Sequence, residues 1–173
     1  MFGIEATIGD YQLKISDLLH PIGIDVSRNN GLQLTDISTS PFNYQQQQDA
    51  LKVEFKGRLA CLYLQTSDGS SEDLSGYDNH VGQICFDINI EQMSDKPVYL
   101  ALQTFMERHE LSSAPHIDIT SLLPNIGDGF TTVSIPCERF SSSGVDFRYL
   151  DTPFMLFTEG SMIAVIANIR WNI

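Results

Sequence analysis

Residues 81–90 read VGQICFDINI. Ile84, Phe86, Ile88 and Ile90 alternate with Gln83, Cys85, Asp87 and Asn89. A period of two places the two sets on opposite sides of an extended chain. One side carries four large apolar residues and must face a core. The other, cysteine apart, is polar without being strongly charged. That suits contact with a neutral, hydroxyl-rich ligand, and it suits plain solvent exposure.

The same alternation recurs along the chain. Residues 11–15, 51–56, 59–65, 97–106, 130–135, 153–158 and 161–171 read as strands, with short ones at 22–26 and 32–35. Stretches rich in Gly, Asn and Ser separate them, at 27–31, 67–79, 125–129 and 141–144, and these residues supply turns. Helical signals are confined to 45–50, which reads as one turn or a loop, and to a single turn at 118–124, where Asp118 or Thr120 caps and Pro124 stops the turn. Many short strands with irregular connections predict an all-β, two-sheet antiparallel β-sandwich of jelly-roll type with one or two short helical turns. The expected domain is single, spanning residues 1–173.

The last strand adds a constraint. From Met162 to Ala167 both alternating sets are apolar, and then Asn168, Arg170 and Asn172 alternate with Ile169, Trp171 and Ile173. A central strand, partly roofed by a loop, fits that change. Trp171 is the only tryptophan; it follows Ile163, Val165, Ala167 and Ile169 in period two, which predicts a core position.

The net charge of −12 disfavours nucleic acid, because phosphate binding needs clustered Lys and Arg. An anionic membrane surface is disfavoured for the same reason, whereas neutral saccharides and cations are compatible. No stretch is long and apolar enough to cross a membrane. The N-terminal residues lack the basic start and apolar run of a secretory signal. The expectation is a cytoplasmic protein as the chain is written, or a periplasmic or secreted one if it is a piece of a longer exported chain. Cys61, Cys85 and Cys137 match no zinc spacing, and three is an odd number for a disulfide framework. They read as small buried hydrophobes.

Several stretches in this order resemble a known module: 45–57, 72–90, 96–104, 117–124, 129–140 and 151–172. The resemblance is to the C-terminal, non-catalytic domain of ExoP-type family 3 glycoside hydrolases, over a core of about residues 11–172. It implies a galactose-binding-like β-sandwich akin to carbohydrate-binding modules. It also implies an accessory role beside a β-glucan-acting glycosidase. Phe130 stands where that family commonly has Trp, and the loop 105–116 lacks the paired cysteines often present there.

No candidate for catalysis emerges. There is no G-x-S-x-G elbow, no phosphate-binding glycine loop, and His109-Glu110 lacks the second His of a zincin. The candidate saccharide contacts are Asp87, Asn89, Tyr99, Gln103, Asn168 and Arg170. They form one polar-aromatic surface if strands 81–90 and 97–106 share a sheet. Planar rings cover the C–H face of a sugar, while amides, carboxylates and guanidinium groups meet its vicinal hydroxyls. Tyr77 and Tyr149 are further platforms in loops. A structural Ca²⁺ site is a weaker expectation, resting on Asp68, Glu72 and Asp73 in the acidic loop 67–79. Its spacing does not match an EF-hand. The rival reading of the same surface is a docking or self-association face for catalytic domains or a second copy, marked by a large, flat, apolar-centred patch.

Overall fold

A computed structural model of the chain describes residues 11–20, 23–26, 33–66, 70–104 and 115–173. Eleven strands follow in order among them: β1 (Tyr11–Asp17), β2 (Ile24–Asp25), β3 (Ile37–Phe42), β4 (Ala50–Lys56), β5 (Ala60–Thr66), β6 (Gln83–Gln92), β7 (Val98–Thr104), β8 (His116–Asp118), β9 (Thr131–Pro136), β10 (Leu150–Thr158) and β11 (Ser161–Asn172). One short helix, α1 (Glu138–Ser141), and three 3₁₀ turns complete the regular structure of the described residues.

The strands form two antiparallel sheets. One has six strands in the order β2-β1-β5-β10-β7-β8; the other has five, in the order β3-β4-β11-β6-β9. Most consecutive strands cross from one sheet to the other, which makes the architecture a sandwich of jelly-roll type. The tightest crossing is the corner between β10 and β11. Gly160 is needed there: a Cβ would lie 2.2 Å from Ser94 Oγ and 2.9 Å from the Lys96 backbone nitrogen.

A single core lies between the layers. Ile84, Phe86, Ile88 and Ile90 of β6 meet Leu62 and Leu64 of β5, Leu100 of β7, and Phe154 and Leu156 of β10. Phe86 and Phe154 pack edge to face, with centroids 5.4 Å apart. Each fully buried side chain of this size contributes roughly 2–3 kcal/mol through removal of apolar area from water. The inward set of the 81–90 stretch is therefore the floor of one sheet, as its alternation requires.

One strand of the sandwich, β3, carries a weak sequence signal. β3 (ISTSPF) offers Ile37, Thr39 and Pro41 opposite Phe55, Val53 and Leu51 of β4. Only one of those three is a large aliphatic, so no clear period appears. Pro41 is tolerated because β3 is an edge strand. The expected strand at 32–35 is replaced, in its described part, by one bridge between Gln33 and Ser38. Of the two readings of 45–50, the structure has the loop, a non-helical turn organised by Asp49, whose carboxylate accepts the backbone N–H groups of Tyr44, Gln45 and Gln46. The turn expected within 118–124 is a 3₁₀ turn over Thr120–Leu122, with the Asp118 carboxylate accepting the Thr120 N–H at 2.9 Å.

Candidate functional site

β11 is the middle strand of the five-stranded sheet, and one irregularity in it builds the site. Ala167 pairs with Asp87, and Arg170 pairs with Cys85. Asn168 and Ile169 together therefore stand opposite Phe86 alone, a β-bulge. Asn168 sits in the left-handed region, with φ of 50°. Asparagine enters that region more readily than other non-glycine residues, because its short amide can bond locally. The inserted residue reverses the facing of everything after it. Before the bulge Val165 and Ala167 lie on the outer face; after it Ile169 and Trp171 lie in the core.

The bulge aims two side chains at one carboxylate. Asn168 Nδ2 donates to Asp87 Oδ2 at 2.8 Å, and Arg170 Nη1 lies 3.6 Å from Asp87 Oδ1. Thr132 on β9 donates its hydroxyl to Asp87 Oδ1 at 2.7 Å. Arg170 Nη1 also donates to the Asn168 carbonyl at 2.8 Å, which closes the cluster. The Asp87 side chain is 10% exposed and that of Arg170 26%. A lone carboxylate so enclosed would be strongly disfavoured. Three partners offset that cost and leave the cluster with no net charge. A guanidinium has five N–H donors, so Arg170 keeps donors beyond those two contacts.

Beside the cluster the outer face is roofed by rings. Phe42, Tyr44 and Phe130 pack on Ala50, Val165 and Ala167. Tyr44 and Phe130 are stacked, with centroids 3.9 Å apart and planes 29° apart. This explains most of the doubly apolar run Met162–Ala167: one set enters the core, and Val165 and Ala167 of the other lie beneath the roof. The site thus joins a neutral hydrogen-bonding cluster to half-buried aromatic rings on one sheet face.

The structure divides the six expected saccharide contacts. Asp87, Asn89, Asn168 and Arg170 share the five-stranded sheet. Tyr99 and Gln103 are on β7, in the six-stranded sheet, on the opposite side of the sandwich. The condition for one shared surface, that strands 81–90 and 97–106 lie in one sheet, is not met: the chain crosses between layers after β6. On its own sheet Tyr99 stacks on Phe157, centroids 5.2 Å apart, and meets His116 edge-on at 4.9 Å. Trp171 is buried, and its Nε1 donates to the Pro153 carbonyl at 3.1 Å. Its core position follows from the bulge, not from continuous alternation with Val165 and Ala167.

Sequence reasoning does not single out Phe42, Tyr44, Phe130 or Thr132 as site residues. The signal for the three rings is the doubly apolar stretch of β11, which demands apolar cover, and loop aromatics are the natural source. Of the calcium candidates, Asp68 lies outside the described residues. Glu72 bridges by its backbone to Leu150, and the Asp73 carboxylate accepts the Ser75 N–H at 3.0 Å. Among the described residues no group of three or more His, Cys, Asp or Glu side chains could hold a metal ion. Cys61, Cys85 and Cys137 are all buried, and none forms a disulfide.

Known proteins share this architecture. No curated protein matches the chain by sequence. The extra C-terminal domain of exo-1,3/1,4-β-glucanase (ExoP) from a Pseudoalteromonas species superposes with a TM-score of 0.67 at 15% identity, covering 94% of this chain and 86% of that domain. Against the whole ExoP enzyme the score is 0.69 at 14% identity, and this chain spans only 19% of that length. A family 30 carbohydrate-binding module from a Clostridium thermocellum cellulosomal cellulase gives 0.65 at 12% identity, covering 95% and 93% of the two chains. The family 11 module of the same organism, solved with a β-1,3-1,4-mixed-linked tetrasaccharide, gives 0.52 at 15% identity, covering 91% and 94%. At such identities these structures establish a shared fold, that of carbohydrate-binding modules. Residues 11–171 match the Exop_C family, described as galactose-binding domain-like, and the chain belongs to that family.

Proposed function

We propose that the chain is a non-catalytic accessory module that binds a neutral saccharide of the β-glucan class on the outer face of its five-stranded sheet. The observation that carries this reading is the bulge at Asn168. A left-handed residue in a central strand aims its amide, and beyond it the Arg170 guanidinium, at a nearly buried carboxylate, and such strain concentrates at functional positions. The cluster is neutral and rich in oriented donors, and it borders aromatic rings. Vicinal hydroxyls fit the donors and acceptors, and a pyranose C–H face fits the rings. The family membership and the saccharide bound by the family 11 neighbour support the ligand class. Affinity is expected to be weak, since each hydroxyl exchanges water for protein at a net gain of about 1 kcal/mol.

The docking reading required a flat apolar patch on a sheet. The exposed large apolar side chains among the described residues are Leu18, Leu19, Val81, Leu122, Ile126, Tyr149 and Ile173, and none lies within a strand. This favours the saccharide.

Titration calorimetry with a β-1,3-1,4-mixed-linkage tetrasaccharide tests the proposal. Binding by the native chain, weakened about tenfold or more (1.4 kcal/mol) by Arg170→Ala with the fold retained, supports it. Absence of binding together with concentration-dependent dimerisation rejects it in favour of docking.

A further inference from the structure

The end of the sandwich where β11 finishes carries a second arrangement of ring and charge, built from residues that the sheet-face site does not use. Residues 72–74 run beside 147–150. The Glu72 N–H donates to the Leu150 carbonyl at 2.7 Å, and the Leu150 N–H returns to the Glu72 carbonyl at 3.1 Å. The Leu74 N–H donates to the Phe147 carbonyl at 2.8 Å. Asp73 is thereby held next to Arg148 and Tyr149. Beneath them Phe147 and Tyr77 both pack edge-on against buried Trp171, with centroids 5.6 Å and 5.5 Å away, so this loop end rests on a rigid base.

Tyr149 is 46% exposed. Arg148 covers one face of its ring, with Cζ 5.5 Å from the centroid. The guanidinium is held there by Asp146 through two parallel bonds, Nε to Oδ1 at 2.9 Å and Nη2 to Oδ2 at 2.7 Å. The Arg148 backbone N–H adds a third bond to the same carboxylate at 3.0 Å. These bonds from Arg148 hold the Asp146 carboxyl down at about 2. Exposed ion pairs contribute little stability, and fixing a long side chain costs rotamer entropy. An exposed ring, one face closed by a doubly clamped guanidinium, is thus ordered beyond what folding requires.

We propose that Tyr149, Arg148, Asp146 and Asp73 form a second saccharide subsite, taking one neutral pyranose against the face of the half-exposed Tyr149 ring that Arg148 does not cover. The ring supplies the planar apolar plate. The remaining Arg148 donors and the two carboxylates meet the hydroxyls at the edge of the sugar. Glu72, Asp73 and Asp146 outnumber the single arginine, so an anionic sugar is repelled. The proposal rests on the saccharide-binding reading of the module, but not on the sheet-face cluster.

The test follows backbone amide shifts of the ¹⁵N-labelled chain during titration with the mixed-linkage tetrasaccharide, and separately with trigalacturonate. The expected result is two independent sets of shifted resonances, one around 72–75 and 146–150 and one around Asp87, Asn168 and Arg170. Tyr149→Ala abolishes the first set and spares the second; Tyr149→Phe keeps both, since the plate survives. Trigalacturonate moves nothing at the loop end. Movement of the sheet-face set alone rejects the loop-end subsite and leaves the sheet-face reading standing. Movement of the loop-end set alone does the reverse. Silence in both rejects both, and shifts at the loop end with trigalacturonate overturn its selectivity for neutral sugars.

Discussion

Asn168 donates its side-chain amide to the Asp87 carboxylate at 2.8 Å, and it does so with its own backbone in the left-handed region. Conformation and contact can be separated by substitution. Asn168→Gly keeps the favoured backbone and loses the amide. Asn168→Val loses both, and its branched side chain resists φ of 50°. In chemical denaturation the valine variant should be less stable than the glycine variant by roughly 1–2 kcal/mol. Both should bind the tetrasaccharide more weakly than the native chain, because Asp87 loses its orienting partner. Equal stabilities would show that the bulge is unstrained.

Asp17 ties the stability of the fold to pH on the acid side. Its carboxylate is buried at the end of β1, and burial alone would raise it. The N–H groups of Asp36, His20 and Leu19 and the His20 ring outweigh burial and hold it below the ordinary value. With the folded value below the unfolded one of about 3.9, its stabilisation is complete above that value. It is lost as pH falls through the folded value. Denaturation midpoints measured between pH 7 and pH 2 should drop more steeply below about pH 4 for the native chain than for Asp17→Asn. The variant itself should lose about 3 kcal/mol at neutral pH, through loss of hydrogen bonds to a charged acceptor.

Cys61 and Cys137 should be silent in the folded state. Burial, aided by the charge of Asp17, pushes the Cys61 thiol up to about 12 despite the Ser16 backbone N–H. Burial likewise raises Cys137 to about 12, with Asp78 and Cys85 adding to it. A thiol-specific chromogenic reagent at pH 8 should label neither Cys61 nor Cys137 until denaturant unfolds the chain, with mass spectrometry locating the modified residues. Reducing agent should leave the melting temperature unchanged, since none of the three cysteines forms a disulfide. Rapid labelling of Cys61 or Cys137 in native buffer would contradict the burial described here.

Tyr11 presents the opposite case, a buried hydroxyl without a hydrogen-bond partner among the described residues. Burial raises its phenol, and the nearby Glu72 and Tyr77 push the same way. Removing an unsatisfied polar group removes its desolvation cost. Tyr11→Phe should therefore be neutral or more stable by about 1 kcal/mol in a thermal melt. A loss of stability of that size would reveal a partner for the hydroxyl.

Much of the fold was legible because β-alternation is a local property. Ile84, Phe86, Ile88 and Ile90 had to share a side whatever else the chain did. The run Met162–Ala167 had to be covered twice, and the roof of Phe42, Tyr44 and Phe130 is that second cover for Val165 and Ala167. β3 was illegible because Ser, Thr and Pro at an edge leave no hydrophobic period to read. The fourfold acceptor role of Asp17 was equally hidden, because its donors include Asp36, 19 residues away.

By itself the sequence determined the period of each strand, and so which side chains travel together to a core or to a surface. It also determined the charge that turns the molecule away from phosphates. The tertiary structure alone decided which strands lie side by side. It sent Tyr99 and Gln103 to one face of the sandwich and Asp87, Asn168 and Arg170 to the other. It also placed the one-residue bulge that reverses the facing of Ile169 and Trp171. The physical reason is that alternation is written between neighbours two residues apart. Sheet partnership and register are settled by long-range packing, and the gain from burying Trp171 and Ile169 outweighs the local cost of one strained asparagine.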